Sequence, residues 1–178
     1  MDLDEIVIKS NKKLLFGNRK VKLYAGFSST SRSTIFAKKI MLDNNVSIIK
    51  AHFDIQNNYM EKDYRILIFD MDEELKPGRN ILNKNIVLKM RPNEQFLTID
   101  LMHYDIQLKK GNYYLGIEIF NLSKAENQKN IKIGLYKTTD LHDSFFKPVF
   151  DEKNTWSTLE TENKKKIHAF NFYLTIQK

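Results

Sequence analysis

The chain has 178 residues, 42% of them hydrophobic, enough for one domain with its own core. Its formal charge is +7, yet arginine stands only at Arg19, Arg32, Arg65, Arg79 and Arg91, so the positive charge is mostly lysine. Lysine lacks the planar fork that reads guanine edges and grips phosphate bidentately, which speaks against nucleic-acid recognition. Cysteine is absent, and with it thiol nucleophiles, disulfides and cysteine-ligated metal centres.

Residues 1–10 carry Asp2, Asp4 and Glu5 and no apolar core, so they do not read as a signal peptide. No apolar run approaches the length of about 20 residues that crosses a bilayer, and no membrane insertion by this chain is expected. Strand candidates begin at 21–25 and 35–42. Next, Ile49, Ala51, Phe53 and Ile55 alternate with Lys50, His52 and Asp54, the period-two pattern of a half-buried strand. The run at 64–69 is almost continuously apolar and reads as a strand buried on both faces. Short candidates follow at 86–90 and 96–99. Tyr113, Leu115, Ile117 and Ile119 then alternate with Tyr114, Gly116, Glu118 and Phe120. Ile131, Ile133 and Leu135 form a shorter strand, 145–150 another, and Phe170, Phe172, Leu174 and Ile176 a last one opposite Asn171, Tyr173 and Thr175.

Turn residues separate these runs, among them Asn44-Asn45, Pro77-Gly78, Pro92-Asn93 and Gly111-Asn112. On the order of ten short strands and no sustained helical period predict an all-β sandwich or barrel, and the lack of a Gly/Ser linker predicts one domain. The expected organisation is a single domain over 11–178. The expected core includes Phe53, Leu67, Leu115, Ile117, Phe170, Phe172 and Leu174. Lys164, Lys165 and Lys166 read as a solvated hairpin tip before the last strand.

In order along the chain, Arg65-Ile66-Leu67-Ile68-Phe69, the 77–82 loop with Pro77 and Leu82, Asn85-Ile86-Val87, Phe96 through Thr98-Ile99-Asp100-Leu101 to Ile106, and Tyr113-Tyr114-Leu115-Gly116-Ile117-Glu118 form a series. The series resembles a jelly-roll-like β-sandwich module of Bacteroidota envelope proteins. The late Phe145-Phe146 and Thr155-Trp156 resemble the region that precedes its last strand. Two positions depart from the family pattern: Phe96 stands for a tryptophan and Phe69 for a tyrosine. Separately, Leu3-Asp4-Glu5-Ile6-Val7-Ile8 resembles the end of a carboxypeptidase-regulatory-like domain, which lies upstream of this module in such proteins. The resemblance implies an all-β, antiparallel β-sandwich of jelly-roll type over 11–178, with 1–10 a strand or linker remnant of an upstream domain, in a larger exported parent at the periplasm or cell surface. If Met1 is the native start, the alternative is a self-contained cytoplasmic interaction protein.

Catalytic and metal chemistry find little support. His52, His103, His142 and His168 stand singly, so no local histidine pair marks a metal site. Asp70, Asp72 and Glu74 offer three carboxylates at a strand end, where a solvated acidic turn is the simpler reading than a calcium loop. Ser28-Ser29-Thr30-Ser31 has hydroxyls without the strained elbow of a nucleophilic serine and reads as a turn. Asp100 and Glu118 are the carboxylate pair a glycan-active hydrolase would need. Both match positions that recur in the resembled family, and the resemblance implies that they are loop anchors bonded to backbone amides. No catalytic residue, metal or cofactor is therefore expected. Tyr59, Tyr136 and Trp156 sit among polar residues and are the candidate ligand-binding aromatics, since exposed rings stack on sugars and on partner proteins. The expected function is that of a binding or docking module for a glycan or an envelope protein.

Overall fold

The computed structural model describes residues 13–17, 19–27, 33–56, 61–120, 131–149, 155–159 and 167–178. Tyr59, residues 1–10, the 28–31 turn and the 164–166 hairpin tip lie outside them. The described strands are β1 (Lys13–Phe16), β2 (Leu23–Phe27), β3 (Ser33–Leu42), β4 (Val46–Phe53), β5 (Ile55–Gln56), β6 (Lys62–Met71), β7 (Pro77–Asn80) and β8 (Val87–Met90). They continue with β9 (Leu97–Asp100), β10 (Ile106–Leu108), β11 (Gly111–Phe120), β12 (Ile131–Thr138), β13 (Ser144–Pro148), β14 (Ser157–Thr158), β15 (Ile167–Phe170) and β16 (Phe172–Gln177). The only helical element among them is a 3-10 turn at Met102–Tyr104.

One layer is a five-stranded sheet in the order β1-β16-β4, with β10 and β9 following one another along the far edge of β4. The facing layer has seven strands, β14-β13-β3-β11-β6, with β7 and β8 along the edge of β6. All pairings are antiparallel. Connections cross between the layers, as from β3 to β4, β8 to β9 and β10 to β11, which is the wrapping of a jelly roll.

The third sheet closes one end. β4 and β16 are paired as far as Phe53 and Phe172, then part at Asp54 and Asn171. Strand β12 lies across the fork, pairing with β5 through Lys132 and Ile133 and with β15 from Leu135 to Thr138. Its Gly134 amide donates to the Asp54 carbonyl at 2.7 Å, and its carbonyl accepts from the Asn171 amide at 2.8 Å. The Asp54 carboxylate occupies the space where a side chain would stand, since a Cβ on Gly134 would come within 2.7 Å of Asp54 Cγ. Glycine is therefore required there by close approach, and the fork leaves the Asp54 and Asn171 backbone groups satisfied.

The main core lies between the layers and takes Phe36 from β3, Phe53 from β4, Ile66 and Ile68 from β6, Leu115, Ile117 and Ile119 from β11, and Phe170, Phe172 and Leu174 from the last two strands. The seven expected core residues are all buried. Leu67, however, belongs to a second cluster on the outer face of the seven-stranded layer, with Ile35, Ala37, Phe69, Tyr114 and Phe145. Strand β6 is thus buried on both faces, as its unbroken apolar run predicts. Gly116 on β11 makes room for this second layer, because a Cβ there would meet the Phe69 ring at 2.8 Å.

One expected alternation shifts. The β4–β16 register jumps between Thr175, opposite Lys50, and Ile176, opposite Ile48. This bulge sends Ile48 rather than Ile49 into the main core, while the Ile49 carbonyl accepts the Leu101 amide at 2.8 Å. The last strand is also interrupted, at Asn171, yet Phe170 and Phe172 keep the same face across the break.

Candidate binding groove

Lysine at position 38 shares the inward parity of Phe36 and Ile40 on β3, where an ammonium must find partners or carry a desolvation penalty of several kcal/mol. It finds them in the turn between β12 and β13. Lys38 Nζ pairs with the Asp143 carboxylate and donates to the Lys39 carbonyl at 2.9 Å, and it lies 5.4 Å from the centre of the Tyr136 ring. The Tyr136 hydroxyl donates to the other Asp143 oxygen at 2.6 Å. Beside this triad, Lys39 Nζ pairs with Asp140 at 2.8 Å, and Asp140 also accepts the His142 amide at 2.9 Å.

These residues form one wall of a groove of about 930 Å³ at the open edge of the sandwich. Leu15, Phe16, Ile40 and Met41 supply apolar lining, and Arg19, Lys137 and Thr139 complete the polar part. Leu15 and Met41 are 63% and 57% exposed. A concavity of this size, partly apolar and with a few fixed polar groups, has the character of a ligand site.

Burial pushes the Lys38 ammonium below the usual lysine range, against the pull of Asp143, while burial and the Asp143 charge push the Tyr136 hydroxyl up. Burial alone would raise Asp140, but the hydrogen bonds from Lys39 and the His142 amide outweigh it and hold that carboxyl below its ordinary value. The two lysine–aspartate pairs and the Tyr136 hydroxyl thus hold one another in place along this wall.

Of the candidate aromatics, Tyr136 lies in this groove, though its ring is mostly buried at 7% exposure. Trp156 is half-buried on the opposite side of the seven-stranded layer, edge-on to Phe69 at 5.5 Å, with Lys147 Nζ 4.8 Å over its ring. The two are not brought together. A third aromatic group, missed by the reading in polar sequence context, sits on the outer face of the five-stranded layer. There the His52 ring stacks on Tyr173 at 4.5 Å, and Phe96 contacts both rings at 6.2 and 6.1 Å. The signal was available: His52 and Tyr173 occupy the polar parity of their strands.

The carboxylate pair does not form. Asp100 lies on β9 of the five-stranded layer, is exposed, and accepts the Met102 amide at 3.0 Å, which anchors the 3-10 turn. Glu118 lies on β11 of the other layer, where it accepts from the Ser33 hydroxyl and from Arg65 Nε at 2.9 Å. Both alternate with core residues, so they stand on opposite outer faces of the sandwich, with two sheets packed about 10 Å apart between them. They cannot flank one glycosidic bond, which needs carboxylates about 5–9.5 Å apart. The expected backbone anchoring holds for Asp100, whereas Glu118 is bound by side chains. In the acidic turn, Asp72 accepts the Glu74 and Lys76 amides, Asp70 accepts the Arg79 amide, and Glu74 pairs with Lys76. Among the described residues, no three His, Asp or Glu side chains converge as a metal site.

No family model and no curated protein matches the sequence. Among solved structures, the chain is similar to the clostridial cysteine protease Cwp84 after propeptide cleavage, with a TM-score of 0.65 and 10% identity over 93% of this chain and 40% of that one. It is also similar to a crystal structure of the cysteine protease and lectin-like domains of Cwp84, a surface layer associated protein of Clostridium difficile (TM-score 0.58, 10% identity, 83% of this chain and 32% of that one). The chain thus spans less than half the length of either, and identity at this level shows the fold alone.

Proposed function

We propose that this chain is a non-catalytic binding module of a cell-envelope protein, and that its ligand, a glycan or a partner protein, lies in the groove beside Tyr136. The groove carries this reading: it combines about 930 Å³ of open space with a polar wall whose side chains are fixed by one another. The similarity to Cwp84 supports it. That protein carries a cysteine protease domain and a lectin-like domain, and an all-β chain without cysteine corresponds to the latter. The separation of Asp100 from Glu118 supports the reading further, by setting apart the one carboxylate pair on which the alternative hydrolase reading stood.

Binding to a shallow groove is expected in the micromolar to millimolar range, about −4 to −8 kcal/mol. A glycan array and a pull-down from envelope extracts provide the ligand screen. Leu15→Glu and Met41→Glu alter only exposed groove residues, so they should abolish the binding seen by calorimetry and leave the melting temperature unchanged. Binding indifferent to both substitutions, or turnover of a polysaccharide or peptide by the purified chain, would overturn the proposal.

A further inference from the structure

Among the described residues that line the groove, the charges do not cancel. Asp143 is taken up by Lys38 and the Tyr136 hydroxyl, and Asp140 by Lys39 and the His142 amide, so each aspartate is matched by its own lysine. Two further cations line the same groove, Arg19 and Lys137. Both are exposed, and among the described residues neither has a carboxylate within ion-pair distance. Arg19 is also held in place from behind, because its backbone amide donates to the Asn171 side-chain oxygen at 3.1 Å, on the fork that β12 closes. Its side chain also hydrogen-bonds the Tyr136 hydroxyl, and a guanidinium pairs bidentately with carboxylate or phosphate.

We infer that the groove binds an anionic saccharide, its carboxylate or phosphate seated between Arg19 and Lys137; the inference rests on the binding-module reading above. The rest of the lining fits a sugar better than an acidic peptide. Two lysine–aspartate pairs and a tyrosine hydroxyl set donors and acceptors side by side, and saccharide hydroxyls answer both. The exposed apolar side chains, Leu15 and Met41, form a rim rather than the closed pocket that a peptide anchor fills. The chain's formal charge of +7 adds long-range attraction for a polyanion.

The test measures the full chain by calorimetry against four polymers: polygalacturonate for carboxylate, phosphomannan for phosphate, dextran as a neutral glycan and polyglutamate as an acidic peptide. One of the two anionic glycans should bind at least tenfold more tightly than dextran and polyglutamate, and which one does so identifies the anion. Arg19→Gln and Lys137→Gln should each weaken that binding roughly tenfold, the scale of one charge-assisted hydrogen bond, without moving the melting temperature. Lys132→Gln removes an equal charge from an exposed site on the same strand, away from the groove, and should have little effect. Equal weakening by Lys132→Gln would assign the effect to net charge and overturn the inference. Dextran binding as tightly would overturn the anion and leave the binding-module reading standing. Polyglutamate binding as tightly would overturn the saccharide. Binding to none of the four would overturn this inference and, if the array and pull-down are also empty, the reading beneath it.

Discussion

On the outer face of the seven-stranded layer, Phe69, Tyr114 and Phe145 lie beneath Trp156 and Val149, and the Tyr114 hydroxyl sits between the carbonyls of Leu75 and His142. On the outer face of the five-stranded layer, Phe96 is 41% exposed over His52 and Tyr173, with threonines on either side. Both faces carry aromatic clusters, but among the described residues only one is covered by further chain. The covered face makes its strands apolar on both sides; the open one leaves them alternating. Trp156 accordingly packs edge-on against Phe69 and Phe145, while Phe96, just before β9, stays largely at the surface.

The largest effect should come from what the faces share. Phe172 is fully buried between the layers against Phe53 and Phe170, so Phe172→Ala should cost about 3–5 kcal/mol in chemical denaturation. A small loss would mean that the two layers are not joined by one core.

Trp156→Ala and Phe96→Ala divide the faces directly. Removing the half-buried indole uncovers Phe69 and Phe145 and should cost about 2 kcal/mol, whereas the exposed phenyl ring should change stability by less than about 0.5 kcal/mol. Equal losses in the two denaturation curves would erase the distinction between a covered and an open face.

Charged groups sharpen the same contrast. Glu118 is buried on the covered face, and Glu118→Gln leaves Arg65 without its carboxylate. Because Arg65 keeps 38% of its side chain in water, the loss should be about 1–2 kcal/mol rather than the larger value for a fully buried pair. Asp100→Asn, on the open face, preserves an oxygen for the Met102 amide and should stay within about 0.5 kcal/mol. A reversal of this order would place the buried charge on the wrong face.

The sequence made the strands legible because period-two alternation at 113–120 and 170–176 survives even the break at Asn171, and the doubly apolar run at 64–69 announces a second layer. It did not make the bulge at Ile49 legible, since one skipped residue changes parity without changing composition. Short edge strands such as β1 and β10 were missed because three or four residues carry too little periodicity. The groove was half visible: Tyr136 was singled out for its polar neighbours. The more informative sign was Lys38, a lysine at a core parity, which required a buried carboxylate from somewhere else in the chain. Nothing local to position 38 names Asp143 as that partner, because their pairing exists only once β13 lies beside β3.

The smallest effect concerns His52, a mostly buried titratable group of the open face. Burial pushes the His52 imidazole below the ordinary histidine range, and the nearby Lys50 charge adds to the shift. Neutral His52 sits between the Thr98 and Thr175 hydroxyls at 3.1 and 2.8 Å, and both hydroxyls can rotate to match either tautomer. Because the folded pKa lies below the unfolded one, the unfolded chain binds more protons as pH falls through about 6.5. Stability from this residue is thus complete above that pH and is lost progressively down to the folded pKa. Melting temperatures between pH 8 and 5 should fall more steeply for the native chain than for His52→Gln, whose loss of ring stacking lowers both ends of the curve alike. Carboxylate protonation enters both curves equally, so the difference in slope isolates the histidine. Parallel curves would show that water reaches His52 freely and that the open face buries nothing titratable in this range.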